Sequence, residues 1–285
     1  MKKSFEQVYS KRALKDKVAL VTGASRGIGK GIALGLGEAG ATVYITGRTM
    51  ASGQAVVDLP GTLAQTAEEV ARLGATCIPL RCDHRNDEEV RAVIDRIRTE
   101  QGRLDILVNN VWGGYEHFND GTEHWKEKGF WTMPLDRWDK SFQAGVRAHY
   151  VASVLAAPLM IAQQSGLIVN ISFIAATRPD MGVSYGAAKA ADDQMAHAMA
   201  HELREHNVAA VSLYPGLVRT EGVMKAAAFF DLSNSESPQF IGRAIAALAA
   251  DPNLMQKSGQ VLIAAQVALD YGFTDIDGKQ PQPMA

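Results

Sequence analysis

Tyr185-Gly-Ala-Ala-Lys189 sets a phenol and an ammonium four residues apart. On a helix that spacing puts both side chains on one face. A free tyrosine titrates near ~10, so it is a poor proton donor or acceptor at neutral pH. A lysine cation beside it stabilises the phenolate and lowers that value. Ser172, thirteen residues before the tyrosine, offers a hydroxyl that can hydrogen-bond the same substrate oxygen. Next to a hydride carrier, the three would move a hydride and a proton across a C–O bond. Any one of them alone on a helix reads as an exposed amphipathic position. The three together point to chemistry because of what precedes them.

That preceding feature is a glycine-rich turn, Thr22-Gly23-Ala24-Ser25-Arg26-Gly27-Ile28-Gly29. Glycines let the chain turn tightly and let a pyrophosphate approach the backbone, with a helix N-terminus facing the negative charge. Any strand–helix turn can use glycine. Here an apolar run precedes the turn and a helical pattern follows it, at the head of an alternating chain.

Short apolar runs at 18–21, 42–46, 76–80, 106–109, 167–172, 208–214 and 260–263 read as buried strands. Between them, helical patterns run over 27–39, 62–73, 87–100, 135–165, 184–206 and 238–250. The alternation implies an α/β fold, a single-domain Rossmann-like doubly wound parallel sheet with helices on both faces. Residues 1–15 read as an extension, 16–270 as the dinucleotide-binding catalytic domain and 271–285 as a tail. Two unpatterned segments, 111–133 and 221–238, follow strand ends and are candidate substrate walls. There is no linker, internal repeat or low-complexity tract.

The bulk composition narrows the class further. A chain of 285 residues suits one large α/β domain. With 29 basic against 31 acidic residues, nothing suggests a nucleic-acid surface or an acidic membrane as partner. Cys77 and Cys82 sit too far apart along one strand to bridge and read as reduced packing residues of a cytoplasmic protein. Lys2 and Lys3 are not followed by the apolar region of a secretory signal. The apolar stretch 151–162 contains Pro158 and falls short of the ~20 residues of a membrane span, so none is expected.

The glycine spacing is Gly-x-x-x-Gly-x-Gly. With Asn109-Asn110, Ser172, the Tyr185/Lys189 pair and Pro215-Gly216 in order, the chain resembles the short-chain dehydrogenase/reductase family from about residue 15 to 265. Gly47-Arg48, the long segment after Asn110 and Tyr271-Gly-Phe-Thr-Asp-Ile-Asp-Gly278 look most like the family branch called dehydrogenase/reductase member 1. The resemblance implies that Tyr185 is the general acid in reduction and the general base in oxidation. It implies that Lys189 lowers the tyrosine's pKa and binds the nicotinamide ribose, and that Ser172 orients the carbonyl oxygen.

For the cofactor site it implies Gly23, Ser25, Arg26, Gly27, Ile28 and Gly29 around the pyrophosphate. Asp83 would meet the adenine, Asn109 the adenosine side, and Pro215, Gly216, Val218 and Thr220 the nicotinamide. Asp83 and Thr220 would serve equally as caps, and Asn109 and Asn110 as turn formers. The family's usual asparagine, seven residues after the tryptophan that opens the central helix, is Gly145 here. The side chain that steadies a lysine–water proton relay is therefore absent.

Gly47 stands where NAD-preferring enzymes commonly place an acid, and Arg48 can fork onto a 2′-phosphate, with Arg26 as a second cation. The pattern favours NADPH/NADP+ over NADH, unless both arginines are plain surface charges. The segment after Asn110 holds Trp112, Tyr115, His117, Phe118, His124, Trp125, Phe130 and Trp131. It reads as an apolar substrate wall or a self-packed loop, and no metal is expected there. The expected function is an NADPH-dependent carbonyl reductase or alcohol dehydrogenase acting on a small molecule. The alternatives are an NAD-dependent alcohol dehydrogenase and a nucleotide sensor of the same fold. The alanine-rich stretch 187–200 suits pairing of long helices into a homodimer or homotetramer.

Overall fold

The computed structural model describes residues 13–52, 58–114 and 129–284. Seven strands form one parallel sheet: β1 (Val18–Val21), β2 (Thr42–Gly47), β3 (Cys77–Arg81), β4 (Ile106–Asn109), β5 (Gly166–Ile171), β6 (Val208–Tyr214) and β7 (Val261–Ile263). Their order is β3-β2-β1-β4-β5-β6-β7. All four residues of β1 and of β4 are buried, as expected for central strands covered on both faces. Pro79 cannot donate to a ladder, and it sits in β3 at the sheet edge.

One face carries α1 (Gly27–Glu38), α2 (Leu63–Arg72), α8 (Pro238–Ala249) and α9 (Ala264–Tyr271). The other carries α3 (Asp87–Gln101), α5 (Ala148–Gln163) and α6 (Val183–Glu202). Burial pushes both the Cys77 and Cys82 thiols up to about 12, and neither is in a disulfide. Strand order reverses between β1 and β4, which opens a crevice at the strands' C-terminal ends.

The central helical stretch is not uniform. It runs as α4 (Leu135–Ser141), a π-helical turn (Phe142–Arg147) and α5. Leu135–Gln163 is 29 residues, and its 18-residue apolar window has mean hydropathy 1.3, long and apolar enough to cross a membrane by length and composition alone. Ala148, Ala152, Ala156 and Met160 are nonetheless buried in the fold. The short α7 (Glu221–Lys225) opens the 221–238 segment.

The sequence pattern does not announce α9, because it starts directly after β7 with no turn residue between them. Beyond it the chain stays packed. Phe273 is fully buried with its ring 5.4 Å from that of Phe240. Asp275 is buried; it accepts hydrogen bonds from the Ser237 amide (2.7 Å) and hydroxyl and pairs with Arg219 (3.2 Å).

Candidate active site

At the switch point β1 and β4 are tied end to end. The Asn110 side-chain amide donates to the carbonyls of Thr22 (2.8 Å) and Gly23 (3.1 Å). Thr22 Oγ1 accepts from the backbone amides of Asn110 (2.9 Å) and Val111 (3.1 Å). Asn109 is turned the other way. It is fully buried, and its amide donates to Ser153 Oγ and Asn170 Oδ1, each at 2.9 Å. Of the two asparagines, Asn110 is the turn former and Asn109 a bridge inside the fold.

The glycine-rich turn then enters α1 through Gly27, whose φ is +58°. A side chain there would be strained, and its Cβ would meet only Thr220 (3.5 Å) and Glu221 (3.8 Å). At Gly29 a Cβ would lie 2.3 Å from the Gly23 carbonyl oxygen. Gly27 is therefore required by its positive φ, whereas Gly29 lets the turn close on itself. Those residue types fit a dinucleotide pyrophosphate. The Gly27 amide donates to Glu221 Oε2 at 2.8 Å, so a carboxylate from the 221–238 segment already answers the helix dipole. Ser25 and Ile28 follow the same turn, with Ile28 packed onto the core.

Arg26 in this turn feels the charge of Arg48. Arg26 donates to the carbonyls of Pro60 (3.0 Å) and Gly61 (2.9 Å). Burial lowers its pKa, the Glu221 charge raises it and the Arg48 charge lowers it again. Asp83 is held down at about 2, first by the Arg85 hydrogen bond and also by the Arg48 charge. Asp83 Oδ1 also accepts from the Arg85 amide (3.1 Å), a turn-capping contact. No acid stands at the end of β2, where Gly47 is buried against Leu63.

At the reacting end, α6 carries Tyr185 and Lys189 on one face. Lys189 Nζ donates to the Ile171 carbonyl (2.8 Å) and Asp192 Oδ2 (3.1 Å), and lies 4.5 Å above the Trp112 ring. The Trp112 ring meets Tyr185 edge-on at 5.5 Å. Gly145 explains how Trp112 fits. A Cβ on Gly145 would lie 2.8 Å from two indole carbons, so the π-helical turn gives its room to an aromatic ring.

Ser172 lies at the end of β5, under α6. Its side chain is buried (2% exposed) and its hydroxyl donates to the Lys189 carbonyl at 3.1 Å. The Asn170 amide donates to the Asp192 carbonyl, so alternation along the extended chain sends Ser172 beneath α6 as well. Phe173 points the other way, and its ring centroid is 6.2 Å from that of Tyr185.

After β6, the buried Glu236 holds the loop of Pro215, Gly216 and Val218. Its Oε2 accepts from the Gly216 amide (2.7 Å), and its backbone bridges Val218. Burial pushes its carboxyl up to about 7, against the lowering effect of the Gly216 hydrogen bond. Thr220 caps α7 by accepting from the Val223 amide (3.3 Å). Phe130, Trp131, Met224 and Phe229 are exposed apolar side chains on the two candidate substrate segments. Tyr115, His117, Phe118, His124 and Trp125 lie outside the described residues, as does most of the 1–15 extension.

Glu221, Glu236, His149 and Asp192 carry no motif. Only Asp192, three residues after Lys189, gave a positional hint.

A family model described as short chain dehydrogenase matches residues 17–229. The mouse protein "Dehydrogenase/reductase SDR family member 1" is 43% identical over 280 residues, covering 93% of this chain and 85% of its own length. Its human namesake is 41% identical with the same coverage. The 7alpha-hydroxysteroid dehydrogenase of Escherichia coli K12 is 30% identical over 211 residues, 74% of each chain. A solved structure titled 7 alpha-hydroxysteroid dehydrogenase complexed with NADH and 7-oxo glycochenodeoxycholic acid superposes with a TM-score of 0.73 at 26% identity, covering 92% of this chain and 96% of that one. A putative dehydrogenase from Xanthomonas campestris gives 0.78 at 26% identity, with 95% of each chain covered.

Proposed function

The chain belongs to the short-chain dehydrogenase family and is an NAD(P)-dependent oxidoreductase; from that premise we propose that it is an NADPH-dependent carbonyl reductase, reversibly an alcohol dehydrogenase. What supports the cofactor choice is a β2 end that has no acid, followed directly by Arg48, with Arg26 in the turn close enough to feel its charge. A 2′-phosphate would find two cations there and no carboxylate at Gly47 to repel it. Gly27 and the turn around it would hold the pyrophosphate, and the loop of Pro215, Gly216, Val218 and Thr220 the nicotinamide end.

A bound nicotinamide supplies or accepts the hydride. Tyr185 gives its phenolic proton to the carbonyl oxygen in reduction and takes it back in oxidation. Lys189 holds the phenol's pKa down. The substrate is a ketone, aldehyde or secondary alcohol with an apolar body, a reading supported by the exposed Phe130, Trp131, Met224 and Phe229. Each buried CH₂ adds at most ~0.8 kcal/mol of binding. Leu135, Trp138, Tyr150 and Val154 leave apolar area on the outside of α4 and α5, which supports self-association into a homo-oligomer.

One observation favours a second reading, a nucleotide sensor with weak catalysis. The Ser172 hydroxyl bonds the Lys189 carbonyl and also acts on Asp193 and Tyr214, while the Phe173 ring lies 6.2 Å from that of Tyr185. Turnover of a graded ketone panel with NADPH and with NADH separates the readings. The expected result is NADPH-dependent reduction with kcat/KM rising with apolar bulk. Preference for NADH, best activity on the smallest polar carbonyls, or no turnover at all would each contradict the proposal.

A further inference from the structure

Beneath Tyr185 lies a row of three buried charged groups. Lys189, Asp192 and His149 are 6%, 0% and 1% exposed. Asp192 Oδ2 takes the Lys189 ammonium (3.1 Å), and Asp192 Oδ1 faces His149 Nδ1 (2.8 Å). His149 Nε2 faces the Val111 carbonyl oxygen at 2.9 Å. That carbonyl only accepts, so Nε2 carries a hydrogen. An ionised Asp192 also only accepts, so Nδ1 must carry one as well. Burial works against the Asp192 carboxylate, but the Lys189 ammonium at 3.1 Å favours it. The ring is therefore an imidazolium. Lys189 (+1), Asp192 (−1) and His149 (+1) leave one net positive charge under the phenol.

That balance matters for Tyr185. A carboxylate at 3.1 Å offsets part of what the ammonium does for a phenolate. The imidazolium restores the positive balance. No amide side chain stands at Gly145, where Trp112 covers one side of the ammonium.

We propose that Asp192 and His149 are positioning residues for the Tyr185–Lys189 pair: Asp192 fixes the ammonium, and the protonated His149 supplies the charge that Asp192 cancels. The proposal rests on Tyr185 being the proton-transfer group. The other titratable groups near this row are Asp193 beside Asp192, Tyr214, which hydrogen-bonds Asp193, and the neutral His84, whose pKa burial and the His149 charge push down to about 4.

The test needs no substrate. Tyr185 is titrated by ultraviolet difference absorbance, each protein against its own Tyr185→Phe counterpart. His149→Gln keeps a polar side chain but removes the charge, and the Tyr185 titration should rise by about one pH unit. Adding Asp192→Asn returns the net charge to +1 and should bring the titration back to within a few tenths of wild type. An unmoved titration in His149→Gln, or a double variant shifted further than the single one, overturns the proposal. Nitrogen-15 NMR of the native protein is an independent arm that survives a misfolded variant. Both His149 ring nitrogens should be protonated at neutral pH, and a neutral ring overturns the charge assignment. Turnover retained in Tyr185→Phe would instead sink the reading of the reaction and leave the charge network standing.

Discussion

At the dinucleotide end of the crevice the backbone does the holding. Gly27 starts the helix at a positive φ, Asn110 bonds the carbonyls of Thr22 and Gly23, and the amide of Gly27 faces the place of an anion. At the reacting end side chains do it. Lys189 sits among the Ile171 carbonyl, Asp192 and the Trp112 ring, and Tyr185 lies between Trp112 and Phe173. A backbone cradle tolerates much change outside its glycines. A site built from buried charges and rings depends on each partner, so the second end should be the more fragile one.

The comparison sharpens first at Arg48, the side chain on which the backbone end relies. Arg48→Ala should raise the KM for NADPH ten- to a hundredfold over any change for NADH, as charge-assisted contacts of ~1.5–3 kcal/mol imply. Steady-state kinetics with both cofactors reads this directly, and equal effects would remove Arg48 from the 2′-phosphate.

At the reacting end, Gly145→Asn pushes atoms into the Trp112 ring. Overpacking of this kind costs about 1–3 kcal/mol. The melting temperature should fall and turnover should stay level or drop. A tenfold rise in kcat would mean that the amide repairs a relay and that the native enzyme is the impaired form.

Glu236 probes the loop between the two ends. Its folded-state pKa of about 7 lies above the ordinary value of 4.5, so the folded state binds the extra proton. That stability is fully present below pH ~4.5 and is lost as pH rises through about 7. Glu236→Gln keeps an acceptor for the Gly216 amide and should be the more stable protein at pH 8, with a flatter pH profile of melting temperature. A wild type whose stability rises between pH 5 and 8 in step with the variant would show that Glu236 titrates normally.

The smallest effect is expected at Ser172. Ser172→Ala removes one neutral hydrogen bond, worth ~0.5–1.5 kcal/mol of stability. Turnover should change by less than about tenfold. A loss of about a hundredfold or more would put the hydroxyl on the substrate oxygen.

Strand positions, the glycine turn and the Tyr185/Lys189 pair were legible because each is a local pattern: an apolar run, a spacing, one helix face. The surroundings of Ser172 were not legible, because they depend on which way an extended chain alternates at the end of β5, and one residue reverses that. Asn109 and Asn110 read alike in sequence, yet one faces the core and the other the turn. His149, forty-three residues before Asp192, becomes its partner only in the folded chain. The reason for Gly145 was likewise invisible without Trp112 folded over it.

Tyr185→Phe tests the central claim most directly. It keeps the ring that packs against Trp112 and Phe173 and removes only the proton-bearing oxygen. Nucleotide fluorescence should show NADPH bound as in the wild type, while turnover of the best ketone falls by at least the ~10²–10⁴-fold typical of a positioned acid–base group. Turnover near the wild-type rate at neutral pH, with NADPH still bound, would contradict the account.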